Sequence, residues 1–126
     1  MILVGITAVL ALWFLWTHPP PRAVTPEDAK AYLKAGNIHT VIDVRTDTEW
    51  AAGHYPHAIH IPLADLEHEL PRKIPDRDTP LLFYCRTGRR AAEATTLAQE
   101  LGYTQLWYLI DSDYTGLEPK HNILTV

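Results

Sequence analysis

One segment, residues 81–98, constrains the fold more than any other part of the chain. It reads LLFYCRTGRRAAEATTLA: an apolar run typical of a buried strand ends at Cys85, a short loop follows, and an alanine-rich helix begins at about Arg89. A strand that is apolar on both faces belongs to a parallel sheet covered by helices. Because such strands end where the following helices begin, backbone N–H groups can bind an anion there. The segment predicts an α/β fold with an anion site beside Cys85.

Cys85 is predicted to be a nucleophile. It is the only cysteine in the chain, which excludes an intramolecular disulfide and a zinc site built from paired thiolates. Arg86, Arg89 and Arg90 follow it, and their charges favour the thiolate, which is the reactive form. The alternative, a cysteine that only fills space in the core, does not explain three arginines in one short loop.

The rest of the chain alternates between helix and strand patterns. Thr25, Pro26 and two acidic residues predict the start of a helix over 26–35, which ends before Gly36. Strands are predicted at 41–44, 58–61, 81–84 and 106–110, and further helices at about 63–70 and from Arg89 to Leu101. The length of 126 residues fits one domain, and the net charge of -4 argues against nucleic acid as a partner.

Residues 1–17 are predicted to form a transmembrane anchor. Residues 1–16 carry no charged side chain, and a helix of that length spans ~25 Å. A cleaved signal peptide is the alternative, although no basic stretch precedes the apolar run. Residues 18–23 are rich in proline and predict a linker, which leaves 24–126 as the folded domain. The basic residues that follow favour a single-pass protein whose domain faces the cytoplasm, with an exported or periplasmic domain as the alternative.

The loop Cys85-Arg86-Thr87-Gly88-Arg89-Arg90 resembles the active-site loop of single-domain rhodaneses. Other short motifs of that family occur in the expected order, namely Ile42-Asp43-Val44-Arg45, Glu49-Trp50 with Gly53-His54, Ala58 followed by Ile61-Pro62, and Leu101-Gly102-Tyr103. The resemblance covers about residues 24–110. It implies a central five-stranded parallel sheet flanked by helices and a sulfurtransferase that carries sulfur as a persulfide, without a cofactor or a metal.

The chemistry implied by the resemblance centres on Cys85. Its thiolate would take the outer sulfur of thiosulfate or a related small anion, release sulfite, and pass the sulfur to cyanide, a thiol or a protein. Arg86 and one of Arg89 or Arg90 would clamp the sulfonate of the donor, since a planar guanidinium suits an oxyanion. The resemblance therefore implies a thiosulfate sulfurtransferase.

Thr87 and Gly88 complete the set of loop residues that we expect to bind the substrate. Gly88 permits a tight loop, and Thr87 stands where thiosulfate-using relatives often carry a second basic residue. The resemblance implies architectural roles for Asp43 and Arg45, and we expect Arg45 to pair with Glu49.

Loop length separates sulfur chemistry from phosphorus chemistry. Phosphatases and arsenate reductases that share the fold place five residues between the cysteine and the arginine, whereas here four residues separate Cys85 from Arg90, and Ala91 stands at the longer spacing. A cysteine-based phosphatase or arsenate reductase is thus the second hypothesis. A non-catalytic regulatory module is the third, and it is typical of chains that have lost the cysteine.

Two departures from the family pattern carry expectations of their own. His54, His57 and His60 are spaced like metal ligands, but strand geometry would point their side chains in different directions. His57 also stands where the family usually has a glycine, which predicts backbone strain at that position.

Asp111 and Asp113 replace the usual glycines after the last strand. An acidic wall there would weaken the binding of small anions and favour a cationic or protein acceptor.

Overall fold

A five-stranded parallel sheet forms the centre of the domain in the computed structural model, which describes residues 9–10, 12–13 and 19–119. The strands are β1 (Arg22–Val24), β2 (Thr40–Asp43), β3 (Ile59–His60), β4 (Leu81–Tyr84) and β5 (Leu106–Leu109). Their order across the sheet is β1-β5-β4-β2-β3, and each of the four pairings is parallel. The predicted sheet is confirmed.

Helices cover both faces of this sheet. They are α1 (Pro26–Ala35), α2 (Asp47–Ala52), α3 (Leu66–Lys73) and α4 (Arg89–Glu100). One apolar cluster packs α3 and α4 against Phe83 and Cys85, and the other packs α1 against Leu82 and Tyr84. Because successive side chains of a strand point to opposite faces, Cys85 and Tyr84 lie on different sides of the sheet.

Local signals explain where α1 begins and ends. Helix α1 spans the predicted residues, with the Thr25 side chain accepting a hydrogen bond from the Asp28 N–H and Gly36 left-handed at φ +80°. The helix predicted at 63–70 is instead a 3₁₀ turn, Leu63–Asp65, followed by α3. Pro71 lies inside α3 and does not end it. A proline in the last turn of a helix loses only one hydrogen bond, so its cost there is small.

One helix and one strand were not predicted from the sequence. Helix α2 lies where a loop was expected, although Thr46 and Glu49 form a capping box, a signal that the sequence contains. Strand β1 includes Arg22 and Ala23, which were assigned to the linker over 18–23; they pair in register with β5. Three residues are too few to show a periodic pattern, and only the presence of β5 makes them a strand.

The predicted anchor over residues 1–17 falls almost entirely outside the described residues. The four of its residues that the structure describes, Val9, Leu10, Leu12 and Trp13, are each more than 60% exposed. In the described part of the chain, no helix has the length and apolar character needed to cross a membrane.

Candidate active site

The sulfur of Cys85 lies where β4 ends and the loop to α4 begins. Cys85 Sγ accepts hydrogen bonds from the backbone N–H groups of Gly88, at 3.1 Å, and Ala91, at 3.4 Å. Both donors belong to the loop and the first turn of α4, so they point at the sulfur without any side-chain movement. Fixed N–H donors of this kind stabilise negative charge on the atom they face.

Cys85 is buried. The residue is 1% exposed and belongs to the apolar cluster on the α3 and α4 face. The sequence predicted a reactive thiol but gave no indication of this depth. The sulfur therefore does not lie on an open surface of the protein.

Glycine is required at position 88 of the loop. Gly88 has φ +106°, and a Cβ added there would lie 3.0 Å from the carbonyl oxygen of Leu109 and 3.3 Å from the Cα of Ile110. The backbone N–H of Asp111 also donates to the Thr87 carbonyl, at 3.3 Å. The loop is thus held against the end of β5, the neighbouring strand.

The three arginines of the loop differ in their partners. Arg90 donates to both carboxylate oxygens of Glu49, at 2.6 and 2.9 Å. Arg86 and Arg89 are exposed, and neither forms an ion pair or a side-chain hydrogen bond with the residues that the structure describes. Of the predicted clamp, Arg86 and Arg89 have guanidinium groups free to bind a donor, whereas Arg90 is already engaged.

Glu49 has a different partner from the one expected. We predicted a pair with Arg45, but the Glu49 carboxylate binds Arg90 and also accepts hydrogen bonds from the N–H and Oγ1 of Thr46. The hydrogen bond from Arg90 lowers the pKa of Glu49 from 4.5 to about 2. The same contact raises the pKa of Arg90, so the pair is fully charged at neutral pH.

Arg45 instead forms a buried pair with Asp43. Arg45 Nη2 lies 2.7 Å from Asp43 Oδ2 and 2.7 Å from the carbonyl oxygen of Gly53. The hydroxyl of Tyr84 donates to Asp43 at 2.5 Å, and burial followed by this hydrogen bond raises the pKa of Tyr84. The network lies on the face of the sheet opposite Cys85, and this position fits the architectural roles expected for Asp43 and Arg45.

The side chains of His54, His57 and His60 do not form a metal-binding group. The rings of His54 and His60 stack on Trp50, with centroid distances of 3.4 and 4.6 Å. No group of three or more possible metal ligands occurs within residues 19–119 or the four described residues before them. The expected strain at His57 is wrong, because Asp111, at φ +54°, is the sole non-glycine residue with positive φ in the described chain.

Of the two aspartates predicted to line the site, only Asp111 has a side chain without a hydrogen-bond partner in the described chain. The backbone N–H of Asp111 donates to the carbonyl oxygen of Thr87 in the loop, and Asp111 is exposed. Asp113 instead caps the 3₁₀ turn Tyr114–Leu117, accepting hydrogen bonds from the N–H and Oγ1 of Thr115 at 2.9 and 2.6 Å. One of the two carboxylates is therefore available to act on a ligand.

Two contacts of the site region were missed from the sequence. Glu49 reaches Arg90 across 41 positions of the chain, and Tyr84 reaches Asp43 across the same separation. The capping box around Glu49 could have placed it on a helix, but no pattern in one sequence pairs residues so far apart.

Comparisons with known proteins agree with the geometry. The profile of the rhodanese-like domain family matches residues 25–118. Human thiosulfate:glutathione sulfurtransferase is 35% identical over 96 residues, covering 67% of this chain and 82% of that protein. The thiosulfate sulfurtransferase of Escherichia coli is 32% identical over 65 residues, covering 52% of this chain and 62% of that protein. The solved structure of a human single-domain sulfurtransferase superposes with a TM-score of 0.65 at 30% identity, covering 79% of this chain and 97% of that one.

Proposed function

This chain belongs to the family of rhodanese-like domains, and on that basis we propose that it transfers sulfane sulfur from an anionic donor to a thiophilic acceptor through a persulfide on Cys85. The observation that carries the proposal is the pair of backbone N–H donors, from Gly88 and Ala91, at the sulfur. The family membership and the sulfurtransferases among the relatives support the same class of reaction.

The reaction balances as two displacements at sulfur. The Cys85 thiolate attacks the outer sulfur of thiosulfate, a new S–S bond forms, the S–S bond of the donor breaks, and sulfite leaves with the electron pair. Cyanide or a second thiolate then attacks the terminal sulfur of the persulfide and releases the Cys85 thiolate. Neither step needs a proton from the protein, which fits a sulfur whose hydrogen-bond donors among the described residues are the backbone N–H groups of Gly88 and Ala91. Amides directed at the sulfur stabilise the charge on the persulfide.

Arg86 and Arg89 are the side chains that we propose for binding the donor. Both are exposed beside the loop and have no acidic partner within the described chain. A guanidinium group donates to two oxygens at once and stays charged at any pH of interest, so a sulfonate suits it. The loop amides would hold the reacting sulfur while these arginines hold the oxygens.

The test measures each half-reaction and the covalent intermediate. The wild-type protein should release sulfite from thiosulfate, gain one sulfur atom by intact mass, and form thiocyanate when cyanide follows. Cys85→Ser should do none of these while keeping its melting temperature, because the smaller oxygen can accept the same N–H donors. Transfer by the Cys85→Ser protein would refute the proposal.

The same samples separate sulfur transfer from phosphate chemistry. A phosphatase would release phosphate from an aryl phosphate, and an arsenate reductase would consume arsenate. The observation against both is the loop itself, in which Arg90 follows Cys85 too closely for the longer ring and is bound to Glu49. We expect neither activity in protein that forms thiocyanate.

We also propose that residues 1–17 attach the domain to a membrane. The support is their composition, which includes no charged side chain before Arg22, and the exposure of their four described apolar residues.

A further inference from the structure

We infer that Glu49 sets the charge preference of the sulfur donor by offsetting Arg90, so that this chain prefers the thiosulfate dianion over monoanionic sulfane-sulfur donors less strongly than it would if the Arg90 charge were not offset. The inference rests on the proposed sulfur transfer and adds to it the class of donor. It assigns to Glu49 a positioning and specificity-determining role, since its carboxylate touches Arg90 and not the reacting sulfur.

The contact between Glu49 and Arg90 is well defined. Two terminal nitrogens of the guanidinium bind the two oxygens of the carboxylate, at 2.6 and 2.9 Å. The carboxylate is itself fixed, because the N–H and Oγ1 of Thr46 donate to it at 3.2 and 3.1 Å. Both side chains are less than one third exposed, so water screens the pair only in part.

Arg90 is close enough to Cys85 for its charge to matter there. Arg90 directly precedes Ala91, whose backbone N–H donates to Cys85 Sγ at 3.4 Å. Electrostatic interaction with Cys85 is among the causes that raise the pKa of Arg90, after the hydrogen bond that Arg90 donates to Glu49. Without Glu49, Arg90 would attract any anion that approaches the sulfur of Cys85. With Glu49 bound, the pair contributes little net charge, and Arg86 and Arg89 supply the attraction.

The carboxylate also acts on the donor in proportion to the charge of the donor. A dianion feels about twice the repulsion that a monoanion feels at the same distance. Thiosulfate carries two negative charges and an alkyl thiosulfonate carries one, although both present an outer sulfur to the thiolate. The thiosulfonate reaction balances in the same way: the S–S bond forms at Cys85, the S–S bond of the donor breaks, and a sulfinate leaves.

The experiment compares thiosulfate with methanethiosulfonate as donors to the full-length chain, with cyanide as acceptor. In Glu49→Gln, KM for thiosulfate should fall roughly threefold to tenfold at low ionic strength, and KM for methanethiosulfonate by about the square root of that factor. The gain should shrink in high salt, whereas kcat should change less than KM. Glutamine also serves in a capping box, so α2 should persist.

Two further variants make the result specific to the pair. Glu93→Gln removes an equal charge from an exposed position on α4 that has no ion pair in the described chain, and it should change KM for thiosulfate by less than about twofold. Adding Arg90→Gln to Glu49→Gln should cancel the fall in KM for thiosulfate, because that fall comes from the Arg90 charge that Glu49 no longer offsets.

The outcomes separate this inference from the proposed function. If the wild-type chain transfers no sulfur from either donor, the proposed function fails. If it transfers sulfur but Glu49→Gln leaves the ratio of the two KM values unchanged, or raises KM for thiosulfate, the inference is overturned and sulfur transfer stands.

Discussion

At the scale of the residue, Asp43 shows how a buried charge is tolerated. Its side chain is fully buried, and a lone carboxylate in that position would destabilise the fold by several kcal/mol. Arg45 donates from its backbone and its guanidinium, and the Tyr84 hydroxyl donates as well. Tyr84 Oη in turn accepts from the N–H of Tyr55. Each oxygen of this network therefore has a hydrogen-bond partner.

Removing the Tyr84 hydroxyl should weaken the fold without affecting the donor. Tyr84→Phe leaves a buried Asp43 oxygen and the Tyr55 N–H short of one partner each, so the free energy of unfolding in urea should fall by about 1–3 kcal/mol. KM for thiosulfate should not change, because the hydroxyl lies on the face opposite Cys85.

The matched control for Tyr84→Phe is Tyr108→Phe. Tyr108 lies on the neighbouring strand β5, and its hydroxyl has no hydrogen-bond partner among the described residues. Its removal should change the unfolding free energy by less than about 0.5 kcal/mol. Equal losses in the two variants would mean that the network contributes nothing of its own.

At the scale of the element, the pair between Glu49 and Arg90 joins the start of α2 to the start of α4. Glu49 caps α2 through Thr46, and Arg90 lies in the first turn of α4. The N–H of Ala91, one residue further on, donates to Cys85 Sγ. The bond between the two helices therefore helps to fix the amide that faces the sulfur.

The stability that this pair contributes should depend on acidity. The pKa of Glu49 is lowered from 4.5 to about 2 by Arg90, so the folded protein keeps this carboxylate charged where the unfolded chain protonates it. The contribution is fully present above about pH 5 and is lost as pH falls through the interval between the two pKa values.

The measurement is the difference in unfolding free energy between wild type and Glu49→Gln, followed from pH 7 to pH 3. It should stay level to about pH 5 and shrink below it, while Glu93→Gln serves as the control without a partner. A difference that persists unchanged at pH 3 would show that the pair contributes through packing and not through charge.

At the scale of the whole molecule, the parallel sheet decides which way the loop faces. All five strands run in one direction, so the loop after β4 lies at the carboxyl edge. The chain enters β1 at Arg22, which is at the amino edge. A segment that precedes β1 therefore joins the domain at the end opposite Cys85, and attachment there would leave the loop turned toward solution.

The proposed membrane attachment gives a direct expectation for the whole chain. The full-length protein should remain with membranes after an alkaline carbonate wash, whereas a variant lacking residues 1–17 should stay in the supernatant and form thiocyanate at the same rate. Intact mass of the membrane-bound protein tells an uncleaved anchor from a cleaved signal peptide. Full release of the full-length chain by carbonate would disprove the attachment.

The sequence alone determined those features that neighbouring residues decide. The strand that ends at Cys85, the glycine and arginines after it, and the cap at Thr25 are all local, because hydrogen bonds and dihedral preferences within a few residues govern them. They were enough to indicate the parallel sheet and the position of Cys85 at the end of a strand.

Tertiary structure decided the partners and the depth of the site. Arg90 binds Glu49 and Arg45 binds Asp43, where the sequence led us to pair Arg45 with Glu49. Cys85 is 1% exposed, and Asp111 takes the left-handed backbone that we expected at His57. The physical reason is that ion pairing, burial and strain depend on which distant segments pack together, and one sequence read along its length contains no measure of distances across the fold.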